Sequence, residues 1–356
     1  MKSIFVDINI LQTVPPSNVN RDDTGSPKTA IFGGTKRARV SSQAWKHAVR
    51  NAFKQLFDAE FLGSRTKKVG EMIATEIKKL NPEISDEKAL KDADTAGDMA
   101  GLSMSKKKEG MVEALAFLSV AQAKALAELI TNGEKDKNLY KKALKENPSV
   151  DMALFGRMVA SDPSLNYDAS TQVAHSISTH TINNEYDYFT AVDDCQEDNN
   201  AGAGHLGTIE FNSSTLYRYA TVNVTELAKT LGLNVTPEVV AKFVKAFALS
   251  MPTGFKNSFA NGTFPDLVYV TIRNDQPVNL CGAFEVPVTS NNQGYRDVSA
   301  KKLAEYAEQV YNNYASVPEH AWASGIVDFG IAKKEKFTDM LELLKNTISK
   351  ELSVAE

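Results

Sequence analysis

Eight lysines and arginines (Arg21, Lys28, Lys36, Arg37, Arg39, Lys46, Arg50 and Lys54) stand between positions 21 and 54 against two acids, Asp22 and Asp23, a local charge of +6. The 356-residue chain is formally −4, so everything outside this stretch sums to −10. An acidic protein that gathers its positive charge into one short segment is built for a partner with repeated negative charge, met on one side. The chemistry on offer is phosphate neutralisation and hydrogen bonding. Gly33-Gly34 can bring backbone N–H groups close to a phosphate. The start of the following helix, at Ser41, Ser42 and Gln43, favours an anion. Lys46 and Arg50 extend the positive track one and two turns on.

Other reactive types are sparse. Phe32-Gly33-Gly34-Thr35-Lys36 lacks the spacing of a nucleotide-hydrolysing P-loop. Of the five histidines (His47, His175, His180, His205, His320), His175 and His180 stand five apart, off one helical face, with no cysteine nearby. No metal is expected. His47, beside Lys46, is a candidate ribonuclease base with no identifiable partner acid. Asp193-Asp194, adjacent on a strand, point to opposite faces and do not make a two-metal pair. Asp22-Asp23 read as salt-bridge partners for Arg21 or Arg39. Gly202 to Gly207 matches G-x-G-x-x-G, but polar loop precedes it and a strand follows, which excludes a dinucleotide fold. Cys195 and Cys281, far apart, read as incidental thiols in a reducing cytosol. No cofactor is implied.

The elements that must position these residues follow from periodicity. At 42% hydrophobic and 24% charged residues, the chain has the composition of an ordinary globular protein of about two domains. The opening MKSIFVDINILQ is broken by Asp7 and does not read as a signal peptide. No apolar run approaches a membrane span. A cytoplasmic protein is expected. Residues 4–11 read as a strand, and 13–40 as a long loop punctuated by prolines and glycines and anchored by Ile31-Phe32. Positions 43–57 read as a helix capped by Ser41 or Ser42, with Trp45, Ala48, Val49, Ala52, Phe53 and Leu56 as its apolar stripe.

From 64 to 181 the pattern is helical, with clear helices at 69–80 and 110–131 and a polar, partly mobile stretch at 91–108. Residues 185–224 read as a long exposed hairpin whose polar centre is 197–204. A helix at 237–250, a strand at 267–273 and a helix at 298–314 follow. Strands separated by helices, with a helical block inserted after the first βα unit, predict an α+β sheet protein.

Four segments carry a resemblance: NRDD (20–23) with AIFGG (30–34), RARVSSQAWK (37–46), GRM (156–158), and the FTAVDD, HLGTIEF and YRYA runs within 189–220. In this order they resemble the CasC backbone subunits of the type I-E CRISPR surveillance complex, Cascade. The resemblance implies an RRM-like (ferredoxin-like) palm at 1–58 and 212–356, a helical fingers insertion at 59–181 and a β-hairpin thumb at 182–211. It implies a non-catalytic, crRNA-binding subunit that polymerises head to tail along the guide and presents bases to target DNA. The implied backbone track is Arg21, Lys28, Lys36, Arg37, Arg39, Ser42, Gln43, Lys46 and Arg50. The implied wedge that forces out a nucleotide is Met158, Phe189, Thr190 and Leu206, apolar surface replacing lost stacking.

The implied partners are the large, small, cap and crRNA-processing subunits and a recruited helicase-nuclease that cuts the DNA. No RNP-type aromatic motif is present, since Tyr217-Arg218-Tyr219 does not fit it, which suits sequence-blind backbone binding. Pro163 departs from the family by stiffening the loop after Met158. Two other readings stay open: a CRISPR RNA-processing endoribonuclease of the RRM-like class using His47 or Asp22-Asp23, and a general single-strand-binding protein.

Overall fold

In the first half of the first strand, β1 (Phe5–Ser17), every second residue is aliphatic, and this period of two commits Val6, Ile8 and Ile10 to one buried face. The computed structural model describes residues 3–159, 161–191, 205–290 and 292–354. In it β1 lies between β9 (His205–Asn223) and β10 (Leu267–Arg273), antiparallel to both. Outward from β10 come β11 (His320–Gly325) and the short β12 (Lys333–Lys334). Outward from β9 come β7 (Ser176–Ser178), β3 (Thr35–Val40) and β2 (Thr29–Phe32). Both β6 (Thr171–Val173) and β8 (Glu185–Ala191) also pair with β9.

Helices cover one face of this sheet: α1 (Ser42–Phe53), α6 (Val150–Phe155), α7 (Val224–Leu231), α8 (Thr236–Leu249) and α11 (Phe337–Val354). Trp45, Phe243, Phe247 and Leu344 pack there on Ile8, Ala220 and Val270. The other face is covered by α10 (Arg296–Asn313), which follows the single-turn α9 (Lys256–Phe259) in the chain, and by the 3-10 turn Leu280–Phe284; Leu303 and Phe284 pack there with Tyr217, Tyr219 and Tyr269. Asp7 and Asn9, the polar positions of the β1 alternation, therefore face a second apolar layer rather than water. Asn9 accepts a hydrogen bond from the Tyr217 hydroxyl, and Asp7 accepts from the Tyr219 hydroxyl and the Val278 N–H.

A separate core is built by α2 (Val69–Leu80), α3 (Asp86–Met99), α4 (Val120–Thr131) and α5 (Lys137–Lys145), joined by a two-stranded ribbon of β4 (Gly63–Thr66) and β5 (Ala116–Ser119). Within the stretch expected to be polar and partly mobile, 91–108, α3 runs on to Met99. Ala89, Ala93 and Ala96 put a small-residue face of α3 against α2 and α4, a close approach that larger side chains would prevent. The helix expected over 110–131 begins only at Val120, because Ser119 caps it with a complete capping box and the residues before it pair with β4.

The loop expected over 13–40 is mostly strand. Gly33 and Gly34, both with positive φ (58° and 72°), form the two-residue turn of a β2–β3 hairpin, the geometry that favours paired glycines. Ile31 does not anchor this hairpin to the core; it is 72% exposed, and Phe32 packs instead.

Burial is the main force on Asp7, raising its pKa to about 6 against the pull of its hydrogen bonds and of Arg273. A carboxyl whose folded pKa is raised stabilises the fold fully below its unfolded pKa and loses that contribution as pH rises through the folded value. Asp7→Asn should therefore remove a pH dependence. Between pH 4 and pH 8 the unfolding free energy of the wild type should fall by roughly 2–3 kcal/mol more than that of the variant, as read from urea unfolding.

Candidate nucleic-acid interface

The track begins at Asn20, whose side-chain oxygen accepts from the Ser41 N–H (2.9 Å) and whose carbonyl accepts from the Lys28 N–H (2.9 Å). One residue thus pins the start of α1 to the 20–28 loop. Asp22 closes that loop on itself, accepting from the Thr24 N–H, the Thr24 hydroxyl and the Ser26 N–H. These bonds, that from the Thr24 hydroxyl first, hold its carboxyl below the usual range. The pairing of Asp22-Asp23 with Arg21 or Arg39 does not form among the described residues. Arg21 instead lies over the Phe255 ring, 4.7 Å from its centroid. Arg39 donates from Nε to the Thr29 carbonyl and meets His175 Nδ1 at 3.2 Å. Burial, with Arg39 and Lys28 beside it, lowers the His175 pKa and keeps that ring neutral.

Arg37 does not belong to a surface track. It is fully buried, and its guanidinium donates to the Thr35 hydroxyl and to the carbonyls of Ser178, Phe284 and Glu285. A buried cation is tolerable only when hydrogen-bonded in this way, so Arg37 fastens the β2–β3 hairpin to the sheet. Gly33 is similarly committed: a Cβ there would sit 1.6 Å from the Glu285 carbonyl oxygen, so the glycine serves close packing rather than phosphate approach. Lys36, beyond the turn, remains exposed.

Helix α1 turns its other residues toward a cleft of about 1090 Å³ between the sheet unit and the helical unit. Ser41 caps the helix through the Ala44 N–H, and Trp45, Val49 and Phe53 bury its opposite side. Gln43, Lys46, His47 and Arg50 line the cleft with Arg65, Phe117, Phe155 and Met158. Ser42 stands at the helix start and does not line it. Burial lowers the Lys46 pKa, and its ammonium lies 5.9 Å from the Phe155 ring centroid. Arg50 lies over Phe117 at 4.6 Å and is engaged besides: Nε donates to Asp151 (3.0 Å) and Nη2 to the Gly63 carbonyl. Asp151 also accepts from the Gly63 N–H. Arg50 is a brace across the cleft more than a free cation. His47 meets the neutral Asn51 amide at 3.1 Å; Glu113 and Asp168 line the same cleft without hydrogen-bonding it. Among the described residues no cluster of three or more His, Cys, Asp or Glu is placed to hold a metal.

The Gly156-Arg157-Met158 run has a structural logic. Gly156 ends α6 at φ 78°, where a Cβ would also press within 2.9 Å of the Tyr167 carbonyl oxygen. Arg157 then turns inward, donating to the carbonyls of Leu165 and Leu144 and to the Gln122 side chain, with burial lowering its pKa to about 10. Met158, next along, is thrown outward and is 80% exposed on the lip of the cleft. Phe189 and Thr190 do not line this cleft. Phe189 and Thr190 sit on opposite faces of the β8–β9 hairpin, opposite Gly207 and Leu206 respectively, and the Phe189 ring occupies the space a side chain at Gly207 would need. Asp193-Asp194, Cys195 and the 197–204 centre lie outside the described residues.

Sequence reading missed Arg65, Phe117 and the bracing role of Arg157. Arg65 stands on β4, in a region read as helical, and Phe117 on β5 within an expected helix. The one usable signal was the G-R-M run itself.

The profile of a family described as CT1975-like protein matches residues 6–349. Among solved structures, a chain of a "CRISPR RNA-guided surveillance complex, pre-nicking" is 30% identical with a TM-score of 0.79; the match covers 97% of this chain and 100% of that one. A chain of a second CRISPR RNA-guided surveillance complex is 28% identical with a TM-score of 0.63, covering 95% and 99% respectively. A search of curated proteins finds no match.

The lip of the cleft sets up a contrast in stability. Arg157→Ala leaves several buried acceptors unpaired and should cost about 3 kcal/mol or more. Met158→Ala, one residue on, should stay within about 0.5 kcal/mol of wild type. Denaturant midpoints of the two variants check both.

Proposed function

The chain belongs to the CT1975-like protein family, and from that premise we propose that it is a crRNA-binding backbone subunit of a type I-E CRISPR surveillance complex. The observation that carries this reading is a run of cations without ion-pair partners among the described residues, Arg21, Lys28, Lys36, Arg39 and Lys46, set beside the capped start of α1. Such a run neutralises phosphates without reading bases. Ser42 and Gln43 add hydrogen-bonding groups at the helix start, Arg50 holds the cleft wall in place, and Arg37 is withdrawn from contact.

In this reading the sheet unit is an RRM-like palm, the α2–α5 unit the fingers, and the β8–β9 hairpin a thumb. Copies stack head to tail along the guide. The thumb of one copy carries Phe189, Thr190 and Leu206 toward the cleft of the next, where Met158 stands out, and together they kink the RNA at regular intervals. The bases between kinks face target DNA. The other subunits and the helicase-nuclease that act on that DNA join the same particle. The subunit itself is non-catalytic, consistent with a His47 ring paired to an amide rather than a carboxylate.

The wild type should shift to large, salt-sensitive assemblies on a sizing column when single-stranded RNA is added at low salt; elution unchanged by RNA would overturn the proposal. Lys28→Gln with Lys46→Gln should reduce the salt dependence of binding, log Kobs against log[salt], by about 1.4, two phosphates at ~0.7 each. Fluorescence anisotropy on RNAs of unrelated sequence should show the same loss for all of them.

A further inference from the structure

Phe255 stands in an unusual backbone position. It is a bulky, non-glycine residue in the left-handed region (φ 46°, ψ 28°), and Ala260, five residues on, is left-handed as well (φ 48°). L-residues adopt this conformation at a cost, and it persists where surrounding contacts impose it. Those contacts are visible. Gly254 packs so tightly on the 18–19 backbone that a Cβ would sit 2.3 Å from the Val19 carbonyl oxygen and 2.6 Å from that of Asn18. Asn261, buried, donates from Nδ2 to the Gly254 carbonyl and closes the loop from the other end. Phe259 meets Phe255 edge to face at 6.2 Å and packs on Phe211 of β9. The strained loop is thus clamped to the segment that leads directly into Arg21, and its ring lies beneath the Arg21 guanidinium.

We propose that Phe255 is a positioning residue for Arg21: its ring holds the guanidinium plane so that the N–H edge faces a phosphate of the bound strand. A ring face orients a guanidinium without neutralising it, as a carboxylate would, and leaves its donors free for bidentate contact with phosphate oxygens. The loop strain is the cost of setting that ring from a segment more than two hundred residues distant in sequence. This rests on the RNA-backbone reading given above.

Two measurements test it, one without RNA. The Arg21 Nε–H order parameter from NMR of the free protein should be high in the wild type and fall below about 0.6 in Phe255→Leu, which keeps the apolar bulk but not the ring. Phe255→Tyr should restore it. An Arg21 side chain as mobile in the wild type as in Phe255→Leu would overturn the proposal whatever RNA does.

In anisotropy titrations with a labelled oligouridylate, Phe255→Leu should bind roughly three- to tenfold more weakly, and Phe255→Tyr as the wild type does. In an Arg21→Ala background, Phe255→Leu should cause no further loss. An equal loss in that background would show a merely structural effect and would overturn the proposal. Phe255→Gly relieves the left-handed strain, so it should be folded and still bind weakly; wild-type affinity in that variant counts against the ring. A wild type that binds no oligouridylate, with Arg21 ordered, would defeat the RNA-backbone reading and the phosphate role of Arg21 together, while leaving the stacking itself demonstrated.

Discussion

Among the described residues, the middle of the large sheet has no free face. On β1, on β10 and on β9 from Leu216 to Val222 both sets of alternating side chains are committed, one to the α1–α8–α11 layer and the other to α10 and the Leu280–Phe284 turn. A nucleic acid cannot lie across that part of the pleat as it does on an open RNA-binding sheet, which turns a long polyanion toward the rim and the cleft beside α1. This constraint sorts the arginines. Arg37, Arg157 and Arg218 are buried and spend their donors on carbonyls and side-chain amides. Arg218 lies 3.7 Å from the Trp45 ring and caps the end of α8 through the Phe247 carbonyl, with burial lowering its pKa to about 9. Each of the three braces one border of the site: the hairpin, the helix and the lip. The exposed cations lie between those braces.

Three of the cations at this border have a second property in common. Arg21, Lys46 and Arg50 each lie over a phenylalanine drawn from a distant part of the chain: Phe255, Phe155 and Phe117. For Arg21 and Lys46, aromatic support restrains a long side chain while keeping its charge available, whereas an acid would cancel it, as Asp151 does for Arg50. The helices of the second unit, away from this site, use lysine–carboxylate pairs freely. The two surfaces differ in how they hold their lysines and arginines: by carboxylates on one, and at Arg21 and Lys46 by rings that leave the charge in place.

Much of this was legible in the residues. The charge anomaly at 21–54, the α1 stripe, the strand at 267–273 and the helix at 69–80 all follow from composition and period, and those elements formed as their patterns required. The errors have physical causes. Gly33-Gly34 was read as a phosphate-approach turn in a loop, but two adjacent glycines with positive φ are equally the signature of a tight hairpin, which made strands of their neighbours. Arg37 and Arg39 share a face of β3 by alternation, and what buries the first is a set of carbonyls from Ser178, Phe284 and Glu285, too distant in the chain for any local pattern to show. Ala93 and Ala96 lie in a stretch whose composition reads as polar, yet with Ala89 they build a core by letting helices approach. Arg65 and Phe117 could not be found because β4 and β5 are four residues each and pair only with one another across fifty positions.

The Arg50–Asp151–Gly63 junction ties the sheet unit to the helical unit at the root of the cleft. Asp151 is almost wholly shielded from water, so mobile ions weaken this junction far less than they weaken lysines on the open rim. Raising ionic strength will therefore strip a polyanion from the protein well before it loosens the jaws that received it. Loading and unloading can be cycled by salt while the shape of the receptacle is retained. The cradle empties before it deforms.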